Sequence, residues 1–215
     1  MRINKYVALA TGLSRRAADL AISEGRITIN EQPASLGANA QETDKVCLNG
    51  RELHLPASTQ TILLNKPVGY VCSRDGQGSP TIYELLPTAL HHLKPVGRLD
   101  KDSSGVLLMT NDGNFAHRLA HPGFQKEKRY RVNLNKELRP ADQKAIEEGV
   151  PLVDGPSRLE LKGSKAEWEV TMHEGRNRQI RRTFEAGGYD VVTLERIQFG
   201  PYSLKQVGNQ RFINI

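Results

Sequence analysis

The longest uninterrupted apolar stretches of the chain, such as Gly105 to Met109, are only strand-length. None approaches the ~18 residues that a membrane-crossing helix requires, so the chain reads as soluble. Thr61 to Asn65 reads as a buried-type strand, and strand signals recur at Gly69 to Ser73, Val96 to Leu99 and Val106 to Thr110. Further β-branched runs lie at Arg129 to Leu134, Ala166 to His173 and Val191 to Ile197. Helical patterns intervene at Thr81 to Leu86, Asn114 to Ala120, Pro140 to Glu148 and Arg178 to Ala186. This interleaving predicts an α+β domain with a mixed, largely antiparallel sheet and flanking helices.

Ahead of that domain the pattern is helix, turn, helix, strand. Asn4 to Thr11 is helix-like, Gly12 breaks it, and Ser14 is an N-cap for a second helix over Arg15 to Glu24. Arg26 to Asn30 alternates as a half-buried strand, Lys45 to Leu48 is a second, and Asn49-Gly50 is a turn. With 215 residues, at roughly 150 per domain, one sizeable core plus a small module is expected. The boundaries fall at 1–48 for a small α/β unit, 49–60 for a polar linker and 61–215 for the larger domain. Arg2, Lys5, Arg15, Arg16 and Arg26 could give the small unit a basic face, although a merely solvated charged face has an equal claim. The net charge of +6 favours a polyanionic partner. The first residues lack the pattern of a secretory signal, and Cys47 and Cys72 have no metal-ligand spacing. A cytoplasmic location, structural thiols and no metal are therefore expected, and His117 and His121 read as structural.

Three segments carry chemistry. Val96 to Asp100 ends an apolar strand with an acid, which strand alternation would put on the same side as Arg98; an ordinary strand-end turn is the alternative. Glu174 to Arg182 places Arg176, Arg178, Arg181 and Arg182 in a glycine-led strand-to-helix turn suited to anions, or else on a solvated helix face. Lys126, Lys128, Arg129 and Arg131 surround Tyr130, as a base-stacking platform would need, although a strand tyrosine also serves as core packing.

Together these segments resemble a known family. GRLDKDSSGVLLMTNDG at 97–113, NKPVGY at 65–70, KRY at 128–130 and EGRNRQIRR at 174–182 are similar, in order, to the motifs of the RsuA/RluB/RluE/RluF branch of the pseudouridine synthases. ATGLSRRAADLAISEGRITIN near the N-terminus resembles an S4 RNA-binding domain. Thr183 stands where a methionine is common, and Glu195 where a basic residue is frequent. The resemblance implies a pseudouridine synthase core preceded by an S4 (alpha-L) domain. It implies isomerisation of uridine in ribosomal RNA, large-subunit 23S preferred over 16S, with no cofactor or metal. Asp100 would be the catalytic carboxylate, acting at C1′ or C2′ of the ribose, with Arg181 as its charge partner and Tyr130 stacked on the uracil. Arg98 would help extrude the uridine, and Lys66, Arg176 and Arg178 would bind substrate. Arg2, Lys5, Ser14, Arg15, Arg16 and Arg26 would contact RNA through the S4 unit. The partner would be ribosomal RNA or a ribosomal subunit precursor, with no membrane, no obligate protein partner and a monomeric chain. A noncatalytic S4-type ribosome assembly protein and a helix-turn-helix DNA regulator are the competing classes.

Overall fold

The computed structural model describes residues 1–41, 43–56, 58–120 and 126–215, so His121 lies outside the described residues. They form two compact units, Met1–Thr59 and Gln60–Ile215.

In the first unit α1 (Ile3–Thr11) ends where Gly12 turns left-handed at φ 80°. The Ser14 hydroxyl then accepts the Ala17 N–H at 3.0 Å and starts α2 (Arg15–Ser23). Ile3, Tyr6, Val7, Ala18, Ala21 and Ile22 from the two helices pack on Ile27 and Val46 of a four-stranded sheet. Its strands are β1 (Ile27–Ile29), β2 (Gln32–Pro33), β3 (Val46–Leu48) and β4 (Arg51–Glu52), in the order β2-β1-β3-β4. Two-residue turns at Asn30-Glu31 and Asn49-Gly50, all four at positive φ, close the hairpins. The second turn corrects the linker expected over 49–60. Its return strand β4 pairs with β3, and Leu53 and Leu55 pack on the core, because an Asn-Gly turn commits the chain to double back.

The second unit is built on a nine-stranded mixed sheet. Its main strands are β5 (Thr61–Lys66), β6 (Lys94–Pro95), β7 (Ser104–Thr110) and β8 (Lys128–Leu134). A separate hairpin, β9 (Val150–Leu152) with β10 (Gly155–Ser157), follows; then come β11 (Glu160–Ser164), β12 (Glu167–Met172), β13 (Val191–Phe199), β14 (Tyr202–Ser203) and β15 (Phe212–Asn214). The central path runs β11-β12-β8-β13-β7-β5-β15; β13 and β7 are parallel and the other neighbours on it antiparallel. Helices α3 (Gly113–Ala120), α4 (Pro140–Glu148), α5 (Gln179–Ala186) and α6 (Leu204–Val207) flank it. β5 and β7 are buried on both faces. Ile62, Leu64, Leu107 and Met109 join one cluster with Phe184, whereas Leu63, Val106 and Leu108 join another with Phe199. Double-sided burial is why these two segments lack polar alternation in the sequence.

Two expected strands do not form. Gly69 to Ser73 contributes a single bridge, Val71 to Thr81. Val96 donates one N–H to Leu108 O at 2.8 Å, and Gly97 at φ 72° then turns the chain out of the sheet. Asp100 therefore sits in a turn rather than at a strand end, and strand alternation does not relate it to Arg98. The helix expected over Thr81 to Leu86 is a 3-10 turn, Ile82–Leu85, closed by a Thr81–Glu84 capping box. His117 lies on the exposed side of α3.

Parallel pairing of β7 with β13 sets Gly105 opposite Arg196. Gly105 holds φ 106°, and a Cβ there would stand 2.2 Å from the Arg196 carbonyl oxygen. Gly105→Ala should therefore destabilise the protein by ~2 kcal/mol or more, through overpacking and a disfavoured φ. Chemical denaturation of both proteins measures this, and an unchanged midpoint would contradict it.

Candidate active site

The sheet register brings the chemistry together. Arg196 of β13 faces Gly105 on one side and Tyr130 of β8 on the other, so the turn that precedes β7 comes to lie beside Tyr130. A cavity of about 340 Å³ opens there, lined among others by Arg98, Asp100, Lys128, Tyr130, Arg178 and Arg196.

The turn over 97–103 is held by backbone tethers. The Lys66 side chain, at 0% exposure, donates from Nζ to the carbonyls of Ser103 (2.6 Å), Asp100 (2.9 Å) and Pro67 (3.1 Å). Burial pushes this ammonium below its ordinary value, and the field of Cys72, Asp100 and Asp102 pulls it back up. Gly69 N–H donates to Lys101 O at 2.7 Å, and Cys72 Sγ both accepts from Leu99 N–H and donates to Leu99 O. Leu99 is anchored in the core. The NKPVGY segment thus serves as the frame of the Asp100 turn. Lys66, expected to bind substrate, does not line the cavity; all three ammonium donors are spent on carbonyls.

Arg181 also departs from expectation. Its Nη2 donates to Asp102 O at 2.8 Å, its Nε lies 3.2 Å from Asp102 Oδ2, and its Nη1 donates to Val191 O at 2.7 Å. The guanidinium that approaches Asp100 belongs to Arg178, at 3.9 Å, while Arg178 also forks onto both Asp102 oxygens at 3.1 Å. Arg178 can do this because it precedes α5 in a left-handed conformation, φ 48°, which swings it off the helix face that its spacing implied. Asp102 is the residue that sequence reasoning missed. Burial raises its carboxyl, but the Arg178 hydrogen bonds and the Arg181 charge outweigh that and hold it below the usual carboxylate range.

The other arginines of the segment are committed elsewhere. Arg176 Nη1 donates to Asp154 Oδ1 and O and to Gly155 O, Nη2 donates to Pro156 O, and Arg182 forks onto Asp154 at 3.0 and 2.8 Å. Both clamp the β9–β10 hairpin, so the expected substrate-binding Arg176 borders the cavity as a strut. Thr183 donates to Ser157 Oγ beneath this clamp, and Glu195 pairs with Arg131 at 2.7 Å, giving both departures from the motif local partners. On β8 only Lys128 and Tyr130 face the cavity. Arg129 and Arg131 point away, into ion pairs with Glu127, Glu169 and Glu195.

A family model described as RNA pseudouridylate synthase matches residues 60–186. The chain belongs to this family. Ribosomal small subunit pseudouridine synthase A of Pasteurella multocida is 36% identical over 212 residues, covering 95% of this chain and 90% of that protein. Ribosomal large subunit pseudouridine synthase B of Bacillus subtilis is 34% identical over 215 residues, covering 95% and 87%. Against the synthase B of Pseudomonas aeruginosa the identity is 34%, and the chain spans 56% of that protein's length. A crystal structure of a pseudouridylate synthase superposes with a TM-score of 0.73 at 31% identity, covering all of this chain and 96% of that one. The mixed α+β fold is thus that of a pseudouridylate synthase. Among the described residues of this family member, no group of three or more His, Cys, Asp or Glu side chains is arranged to hold a metal ion, and no helix is long and apolar enough to cross a membrane.

In the first unit Arg15 and Arg16 are exposed at the start of α2, whereas Arg26 is engaged by Glu24 at 3.0 Å and Asn49 at 3.1 Å. The Ser14 hydroxyl is occupied as the α2 cap.

Two outcomes follow from the turn's tethers. Lys66→Met leaves three carbonyls short of a buried donor and should cost about 2–4 kcal/mol of stability, read by denaturation. Because the Asp102 carboxyl is depressed on folding, its contribution is present above the ordinary value of 3.8 and lost as pH falls through the lower folded value. The stability gap between wild type and Asp102→Asn should therefore be full near neutrality and narrow in strong acid; a gap constant down to pH ~3 would contradict the assignment.

Proposed function

We propose that this chain isomerises uridine to pseudouridine in ribosomal RNA, with Asp100 as the reacting carboxylate. The observation that carries the reading is the meeting of Asp100 and Tyr130 in one cationic cavity, from a turn and a strand thirty residues apart in a chain of this family. The names of the relatives, ribosomal large and small subunit synthases, support ribosomal RNA as substrate. Large-subunit RNA is our preference of the two.

The reaction breaks the N1 glycosidic bond, turns the uracil in place and joins C5 to C1′. The Asp100 carboxylate is about one-third exposed at the cavity, open enough to meet a ribose, and the Arg178 guanidinium stands 3.9 Å from it. It acts on C1′ as a nucleophile or on C2′ as a base. Tyr130 offers its ring to the uracil. Arg98, exposed and lining the cavity, helps to extrude the uridine, a step that costs a few kcal/mol. Arg178 bridges Asp100 and Asp102, and Arg181 orients the turn through Asp102, so their roles in positioning are shared. Residues 1–59 supply backbone affinity as an S4-type unit, through Arg2, Lys5, Arg15 and Arg16.

Asp100→Asn should abolish isomerisation and leave RNA affinity within a few-fold, because it removes the reacting charge and no phosphate contact. Tritium release from C5-labelled uridine in a ribosomal RNA transcript measures the first, and filter binding the second. Retained turnover would remove Asp100 from the reaction. Mapping pseudouridines in ribosomal RNA from cells without and with this gene names the position.

A further inference from the structure

Two of the cations lining the cavity, Lys128 and Arg196, stand beside Tyr130 and have no task in the reading above. Arg196 is 2% exposed, its Nε donates to Val106 O at 2.8 Å, and its buried Nη2 has no hydrogen-bond partner among the described residues. Lys128 sits two residues before Tyr130 on the same face of β8, and its Nζ donates to Glu174 O at 3.1 Å. Arg196 lies directly across the ladder from Tyr130, and Lys128 across from Phe199, so the two cations bracket the tyrosine. The Phe199 ring packs against both, 4.9 Å from the Arg196 guanidinium carbon and 5.7 Å from Lys128 Nζ.

Neither cation has a carboxylate within ion-pair distance among the described residues, in contrast to Arg176, Arg178 and Arg182. Lys128 already bears the cost: burial, then the neighbouring Arg196 charge, pushes its ammonium below the ordinary lysine value. Glu174 offsets this only in part, so a buried guanidinium beside a half-buried ammonium, neither in an ion pair among the described residues, is unfavourable for folding and becomes favourable once an anion enters between them.

We propose that Arg196 and Lys128 form the electrostatic site for the uracil as it leaves C1′. When the N1–C1′ bond breaks, its electron pair stays on N1 and spreads to O2 and O4, so a neutral base becomes an anion stacked on Tyr130. Formation of the C5–C1′ bond, as Asp100 leaves C1′ or C2′ regains its proton, uses up that negative charge and gives a neutral adduct still protonated at C5; passage of the C5 proton to N1 then completes pseudouridine. The cations act where negative charge develops and are already fixed there before it does. This inference rests on the proposed isomerisation. It makes Arg196, on a strand outside the motifs that define the resemblance, a further catalytic residue.

The test compares leaving groups. A ribosomal RNA transcript is prepared with uridine and, separately, with 5-fluorouridine, whose fluorine stabilises the leaving anion inductively. Loss of the N-glycoside at the modified position is followed in single turnovers by nuclease digestion and chromatography. Lys128→Gln and Arg196→Gln should each slow uridine by about a hundredfold, the scale of one lost oxyanion donor, and slow 5-fluorouridine by clearly less. Lys128→Arg should restore most of the rate. Since Arg196 is buried and Arg196→Gln could fail to fold, the two Lys128 variants suffice to decide. Equal slowing on both RNAs, or equal slowing accompanied by weaker RNA binding as for a phosphate contact, would overturn the inference; so would no slowing at all. Wild-type enzyme that leaves uridine unchanged would instead overturn the underlying function.

Discussion

The buried ammonium of Lys66 is the interaction on which the site depends. It takes the last position of β5, donates to the carbonyls of Asp100 and Ser103, and so ties the end of one central strand to the turn that leads into the next. Burying a cation costs least when its donors are satisfied, and three backbone carbonyls supply that for Lys66. Satisfying a buried charge with backbone rather than with a carboxylate also leaves the Asp100 side chain available. The same turn is gripped from its outer side by Arg178 and Arg181 on Asp102. The role proposed for Asp100 at the ribose needs this kind of frame, since small misplacements are expensive in rate.

The arginine-rich segment around α5 shows how charge is divided in a structure of this kind. Arg176 and Arg182 pair with Asp154 and anchor a hairpin, Arg178 and Arg181 pair with Asp102 and anchor the turn, and Arg196 and Lys128 line the cavity without an ion pair among the described residues. Ion pairs exposed to water contribute little to stability, but geometrically they hold two loops at the mouth of one cavity. Charge count in the sequence could not separate these three tasks, because each depends on which acid lies opposite in space.

Strand register is the other organising element. Double-sided burial of β5 and β7 fixes the centre of the sheet, and the parallel β7–β13 pairing, possible only because Gly105 has no side chain, carries the Asp100 turn to Tyr130. Register slips of one residue would turn Tyr130 and Lys128 away from the cavity and Arg129 and Arg131 into it. The salt bridges of Arg129 and Arg131 on the opposite face disfavour that alternative.

By itself the sequence determined the buried central strands, most helices, the Ser14 cap and the motifs around Asp100, Tyr130 and Arg181, because apolar periodicity, capping and motif spacing are local properties of the chain. The same locality explains what it could not determine. Val96 to Leu99 reads as a strand, yet Gly97 turns it out of the sheet into a position set by Lys66, thirty-odd residues away. The polar run after Leu48 reads as a linker until its Asn-Gly turn folds it back on β3. Only the tertiary structure decided that Arg181 meets Asp102, that Arg178 reaches Asp100, and that Arg196 lies opposite Tyr130. Electrostatic partners are chosen across the sheet and between loops, where distance along the chain carries no information.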